Sequence, residues 1–378
     1  MLKTFKYRLY PTKKQISSLE AVLEECRYLY NRLLEQRKYA WEIQETSLGY
    51  RIQQNLLPAI KTARNLHLAH SQVLQNVAVR VDSAFKAFFR RVKAGEKPGY
   101  PRFKGKGWYD SITFPQVPSG CRLKDGRLVI SKVGQIKIVM HQEMCGKPKT
   151  ATIRRSSTGK WYVTFNCEVE PQPLPASDEA VGIDVGLYTF AAFSDETQPI
   201  ENPRFFREEE KALAKAQRKL SQATKGTPER TSRRRVVSRV HERIRFRRDD
   251  FSHQESRKII NHYGVICVED LPVKGMIHNH CLAKSIADAA WSGFFTMLAY
   301  KAESAGRKLV KVNPAYTTQD CHRCGHRQKL TLADRIYKCP CCGLHIDRDL
   351  NAAKNILRLG MQSLKPDLSG SLEALCFS

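Results

Sequence analysis

The sequence predicts a multidomain α+β protein: a strand and a helical bundle, then a run of short strands, then a region of mixed strands and helices that carries a small cysteine-rich module. Three observations predict it. The hydrophobic period changes from helical to two near residue 98. Pro171, Pro173 and Pro175 crowd the segment PQPLPAS and mark a linker. Two Cys-x2-Cys pairs lie close together toward the C-terminus. With 378 residues the chain has room for two or three domains and a sizeable core.

Residues 1–10 alternate Leu2, Phe5, Tyr7 and Leu9 with Lys and Arg, as a half-buried strand does. Pro11 ends the strand, and Thr12 is placed to cap a following helix. From about 12 to 95 the period is helical. Ile16, Leu19, Val22 and Leu23 share a face, as do Tyr28, Tyr30, Leu33 and Leu34. Val73, Leu74, Val77, Val81, Phe85, Phe88 and Phe89 mark a second long helix, so an antiparallel bundle is expected. Between about 98 and 170, RLVIS, QIKIVM, TATIRRS and KWYVTFNCEVE read as short strands. KPGYPRFKGKGWYD interleaves cations with Tyr100, Phe103, Trp108 and Tyr109, which suits a surface that grips phosphate and stacks on bases.

After the linker, AVGIDVGLYTFAAFS reads as a buried hairpin, 203–262 as basic helix, and GVICVEDL as a short buried strand. Residues 283–306 read as one helix, 309–313 as a strand, and 348–360 as a helix. The tail from Met361 carries Ser and Gly and is expected to be loosely ordered.

Lys and Arg number 64 against 37 Asp and Glu, a formal net charge of +27. So much positive charge repels itself, and a polyanion that releases counterions on binding relieves it. Nucleic acid is the expected partner. An anionic membrane fits less well, because no basic amphipathic anchor with a clean apolar face is present. No run reaches the roughly 18 apolar residues of a membrane span, and MLKTFKYRLYP lacks an apolar signal core. Secretion is therefore not expected.

Cys321, Cys324, Cys339 and Cys342 form two knuckles separated by 14 residues, the arrangement of a zinc ribbon. Four thiolates complete a tetrahedral shell, so the ion is expected to be structural. Cys341 lies inside the second knuckle, but only Cys339 and Cys342 keep the x2 spacing.

Three carboxylates end otherwise apolar elements: Asp184 after AVGI, Glu269 after GVICV, and Asp347 at the head of the last helix. Singly, each suits an ordinary turn, strand end or helix cap. Together, in so basic a chain, they suit a shared task. Converging carboxylates need cations among them, and Mg2+ prefers such oxygens. Two ions roughly 4 Å apart can activate water and steady the leaving oxygen of a phosphodiester. Asp270 and Asp349 are the neighbours that compete for these assignments. Glu269 is in phase with Val265 and Cys267, whereas Asp270 points to the opposite face. Asn351, four residues after Asp347, is placed to orient it.

The series GIDVGL, VICVEDL, CHRCG with CPCCG, and HIDRDLNAAKNI resembles the RuvC nuclease core of TnpB, the RNA-guided nuclease of insertion sequences, and more distantly the type V CRISPR effectors. YRLYPTKKQ, FKAFFRRVKAG with GYPRFK, and WYVTF extend the resemblance over about residues 1–360. It implies a β-barrel-like wedge domain (1–11 and 96–172) with an inserted helical recognition domain (12–95). It further implies a RuvC, RNase H-like domain (178–318 and 345–362), an inserted zinc ribbon (319–344) and a flexible tail (363–378).

The implied activity is Mg2+-dependent cleavage of double-stranded DNA beside a short target-adjacent motif, directed by a guide RNA from the transposon end. Asp184, Glu269 and Asp347 would be catalytic and hold two Mg2+, in a prokaryotic cytoplasmic protein acting at the nucleoid, with one or two copies per RNA. Residues 211–248 contain 14 Lys or Arg and 2 acids, and Val236, Val240, Ile244 and Phe251 give this stretch one packing face. The resemblance sets that helix near the guide–target heteroduplex, with Arg233, Arg234, Arg235, Arg243, Arg247 and Arg248 as candidate contacts. Gln72, Gln75 and Asn76 could read base edges in the motif, Gln75 foremost. A nuclease-silent regulator, a transposase proper and a non-catalytic zinc-ribbon RNA-binding protein are the alternatives.

Overall fold

The computed structural model describes residues 1–331 and 334–364, which divide into two compact units, 1–170 and 171 onward. The first unit opens with β1 (Leu2–Tyr10), whose Phe5, Tyr7 and Leu9 are buried in alternation. Thr12 then caps α1 (Lys13–Gln44) in a capping box with Gln15. Two further helices follow, α2 (Tyr50–Ala63) and α3 (Ser71–Lys93). Arg37 on α1 joins all three, donating to Gln53 on α2 at 2.7 Å and pairing with Asp82 on α3 at 3.1 Å.

The strands of this unit are β2 (Ser111–Phe114), β3 (Cys121–Lys124), β4 (Arg127–Ile130), β5 (Gly134–Val139), β6 (Lys147–Arg155) and β7 (Trp161–Glu168). With β1 they form one seven-stranded antiparallel sheet in the order β2-β6-β7-β1-β5-β4-β3. The barrel-like β domain expected from the sequence takes this form. The helices do not bury a core of their own. Leu19, Leu29, Leu33, Val77 and Val81 join Phe5, Trp161 and Phe165 in one continuous cluster, so bundle and sheet are stabilised together.

The second unit is built on β8 (Ala180–Asp184), β9 (Thr189–Phe193) and β10 (Ile200–Glu201). Two long helices follow, α4 (Phe205–Gln222) and α5 (Pro228–His262), and then β11 (Val265–Glu269). After the short α6 (Val273–Met276), the expected single helix is broken into α7 (Ala283–Ala289) and α8 (Trp291–Ala305). The break is at Ala290, which takes the left-handed conformation at φ 55°. The chain then forms β12 (Lys308–Val312), the hairpin β13 (Ile336–Lys338) and β14 (His345–Asp347), and α9 (Arg348–Leu364). Helix α9 runs through Met361–Leu364, where a loose tail was expected; residues 365–378 lie outside the described residues.

The sheet order is β10-β9-β8-β11-β12, antiparallel on the β9 side of β8 and parallel across β8, β11 and β12. Helix α9 lies so close to this sheet that two positions admit only glycine. A Cβ on Gly182 would sit 2.1 Å from the Ala353 carbonyl oxygen, and one on Gly360 2.2 Å from Cys267 Sγ. That closeness brings the head of α9 to the ends of β8 and β11.

Candidate active site

Val268 on β11 pairs in parallel register with Ile183 on β8. The next residue on each strand is Glu269 and Asp184, so the two carboxylates stand side by side at the C-terminal edge of neighbouring strands. Such edges are where open α/β sheets place ligands. Both acids are buried, at 7% and 8% exposure, while Asp270 is exposed and paired with Lys311 at 2.9 Å. The alternation along β11 separates the two acids as the sequence phase predicts.

Burial pushes the Asp184 carboxyl well above its ordinary range, and the charges of Glu269, Asp349 and Asp347 push the same way against Arg348. Burial also raises Glu269, opposed by a hydrogen bond from Thr317 Oγ1 to Oε1 at 2.5 Å. Desolvated like charges destabilise one another unless they are protonated or share a cation. Buried carboxylate oxygens are also the donor set that a hard divalent ion takes.

Asp347 and Asp349 differ in what their carboxylates do. Asp347 is exposed, and its Oδ1 accepts from the backbone N–H groups of Asp349 and Leu350 at 2.9 and 3.0 Å. It caps α9. Asp349 is largely buried, with a side chain 15% exposed. Arg348 holds its Oδ1 at 3.1 Å, and its Oδ2 lies 4.0 Å from where a Cβ on Gly186, two residues past Asp184, would stand. Asn351 does not orient Asp347. It is fully buried, accepting from the His322 N–H at 3.0 Å and donating to the Asp320 carbonyl at 2.8 Å.

The four ribbon sulfurs converge. Cys321 and Cys342 Sγ are 3.6 Å apart, Cys324 and Cys339 Sγ 3.5 Å, and all four lie within 4.8 Å of one another. A tetrahedral Zn–S shell has S···S edges of about 3.8 Å, so the residues fit such an ion. Among the described residues no three carboxylates are drawn together as tightly. The knuckles are built alike: the Cys321 N–H donates to the His326 carbonyl, and the Cys339 N–H to that of Leu344, at 2.9 and 2.8 Å. Tyr337, fully buried between Cys321 and Cys339, donates to the Gln319 or His326 carbonyl. Cys341 is exposed.

The basic helix α5 packs through Val240 and Ile244 against Leu213 of α4, with Val237 beside them. Val236 is exposed, one residue out of phase with the expected face, and Phe251 packs on the aromatic core at Phe190. Arg243 pairs with Glu209 at 2.9 Å, Arg247 with Glu208 at 2.5 Å, and Arg248 with Asp288 at 2.6 Å. Arg233 lies 3.6 Å from Glu229, while Arg234 and Arg235 face solvent. On α3, Gln72 bonds Gln116 at 2.9 Å and Asn76 accepts from Arg80 at 2.9 Å, whereas Gln75 is exposed.

Three family models match the chain: a helix-turn-helix domain of the OrfB_IS605 type over 1–45, OrfB_IS605 itself, described as "Probable transposase", over 164–280, and a Cas12f1-like TNB domain over 291–356. In this structure 1–45 is a strand followed by one long helix. The chain is 34% identical over 367 residues to a Streptomyces pristinaespiralis protein named as an RNA-guided DNA endonuclease, covering 95% of this chain and 89% of that one. It is 30% identical over 383 residues to Escherichia coli (strain K12) InsQ, named likewise, covering 95% and 92%. The fold is similar to that of the mini-RNA-guided endonuclease CRISPR-Cas_phi3, with a TM-score of 0.55 and 10% identity over 97% of this chain and 93% of that one.

Proposed function

The chain belongs to the OrfB (TnpB) family of RNA-guided DNA endonucleases, and from that premise we propose that it cuts double-stranded DNA beside a short target-adjacent motif, at carboxylates that hold Mg2+. The single observation that carries the site is the pairing of buried Asp184 and Glu269 at the ends of adjacent parallel strands. The strand order, two antiparallel pairings followed by two parallel ones, supports a RuvC, RNase H-like assignment for the domain.

The third carboxylate is better assigned to Asp349 than to Asp347. The burial of Asp349 and the approach of its Oδ2 to Gly186 support it, and the capping bonds of Asp347 give that residue another task. Mg2+ bound to these oxygens would polarise the scissile phosphate and lower the pKa of a bound water. Asp184, Glu269 and Asp349 would hold the ions, and Arg348 orients Asp349 through one oxygen while leaving the other for a ligand. The buried strand ends exclude bulk water, which strengthens each of these interactions.

Base pairing with the guide reads the sequence, and the cations of α5 hold the nucleic-acid backbone by charge. Arg234 and Arg235, exposed on α5, are the first choices for that role. Gln75 is proposed to read the target-adjacent motif, since its exposed amide can bond a base edge. The four thiolates would hold a structural Zn2+.

The test is purified protein carrying RNA from the transposon end, presented with matched duplex and Mg2+. Cleavage that is lost in Asp184→Ala and Asp349→Ala, with RNA still bound, supports the enzyme. Wild-type complex that binds matched DNA and leaves it whole would indicate a silent regulator.

A further inference from the structure

The segment joining β12 to the first ribbon cysteine is held over its C-terminal half by buried amides of α9. Asn355, 1% exposed, uses both N–H groups of its amide: one donates to the Thr317 carbonyl at 2.9 Å, the other to the Asp320 carbonyl at 2.7 Å. One turn earlier, Asn351 donates to the same Asp320 carbonyl and accepts from His322, inside the first knuckle. The segment therefore cannot shift along α9 without stranding buried polar groups, which is unfavourable for each bond left unmade. Outside this clamp, Arg327 pairs with Asp320 at 2.6 Å and covers the Tyr316 ring at 3.6 Å.

The clamp fixes Thr317, which is 3% exposed. Its hydroxyl has one proton and two acceptors within reach, Glu269 Oε1 at 2.5 Å and the Pro314 carbonyl at 3.2 Å. The shorter, charge-assisted bond takes it. One carboxylate oxygen of Glu269 is thereby anchored, which fixes the plane of the group and the direction of its other oxygen.

We propose that Thr317 is a positioning residue that aims Glu269 for a divalent cation, and that Asn355 acts on the site by holding Thr317. The inference rests on the carboxylate reading above. It also gives the buried amides of α9 a role that hydrophobic packing does not require: they tie the root of the ribbon, four residues before Cys321, to the nuclease carboxylates.

The probe is Mn2+, titrated into the RNA-loaded full-length protein and followed by electron paramagnetic resonance, with cleavage measured in parallel. Thr317→Val removes the hydroxyl and keeps the shape; Thr317→Ser keeps the hydroxyl. Loss of a partner that orients a metal ligand typically weakens metal binding by about 10–100-fold, and Thr317→Val is expected to fall in that range. Thr317→Ser should return the affinity to the wild-type value. In Asn355→Ala the affinity should fall as well, and the Thr317→Val/Asn355→Ala pair should be no weaker than Thr317→Val alone.

Wild-type Mn2+ affinity in Thr317→Val, or failure of Thr317→Ser to restore it, overturns the role of Thr317. Penalties that multiply in the double variant overturn the role of Asn355. If wild-type protein shows no Mn2+ site that Asp184→Ala removes, the carboxylate reading fails instead, and the two failures are told apart.

Discussion

Arg248 on α5 closes on Asp288 of α7 at 2.6 Å, and the same carboxylate accepts the Phe206 N–H at the start of α4. Three helices therefore meet on one buried charge. Removing Arg248 leaves Asp288 desolvated without its cation, which for a buried pair costs about 3–5 kcal/mol. Arg248→Ala is expected to lower the free energy of unfolding by an amount near the lower end of that range, and the denaturation midpoint with it. Arg234→Ala/Arg235→Ala should leave the midpoint alone and weaken RNA binding, with a shallower salt dependence. Denaturant titration and binding at several salt concentrations check both.

The strand–helix junction at 347–349 separates two jobs that sequence spacing merges. Asp347→Ala deletes the cap of α9 and should cost about 1 kcal/mol of stability while cleavage continues. Asp349→Ala should reduce cleavage by about 100-fold or more, the scale of losing one preorganised electrostatic group at the reacting centre. Thermal melts and cleavage rates on the same preparations decide it, and the reverse pattern would return the role to Asp347.

Much of this was legible in the sequence because hydrophobic period and end residues carry it. The alternation of β1, the capping box at Thr12, the strand before Glu269 and the sulfur knuckles all depend on residues close in sequence. What escaped depends on phase and on partners far along the chain. Val236 and Val237 are equally apolar, and only the seat of α4 decides which one packs. Which of Asp347 and Asp349 caps α9 and which turns toward Gly186 depends on where the helix begins. From spacing Asn351 reads as a partner of Asp347, and only the ribbon segment lying against α9 gives it and Asn355 their actual partners. Nor does any local signal mark Ala290 as a helix break, since its left-handed turn is set by what α7 and α8 pack on.

Asp184 and Glu269 both titrate above their ordinary values, burial being the main cause. An unfolded chain ionises these groups near their ordinary values, about 3.9 for Asp and 4.3 for Glu. As pH rises from there toward the raised folded values, the unfolded state releases protons that the folded state retains, so the metal-free protein loses stability. A bound divalent cation must displace those protons. Mg2+ should therefore bind more weakly as pH falls, and its stabilising effect on the melting temperature should grow as pH rises. Melts across a pH series with and without Mg2+ would show a constant increment if the carboxylates were not the binding groups.

The exposed Cys341 and the converging Cys342 are adjacent thiols with different expected consequences. Cys342 Sγ lies 3.6 Å from Cys321 Sγ, and Cys342 belongs to the small apolar cluster around Tyr337. That cluster is small, and the Zn2+ proposed for the four thiolates would supply folding energy to it, as an ion does in ribbons of this kind. Cys342→Ser should lose zinc and expose the ribbon to protease. Cys341→Ser should keep the wild-type zinc content and protease resistance. Zinc measured by atomic absorption, alongside limited proteolysis, tests this. Equal zinc loss in both variants would mean that the second knuckle binds through either thiol, and that the x2 spacing does not select the ligand.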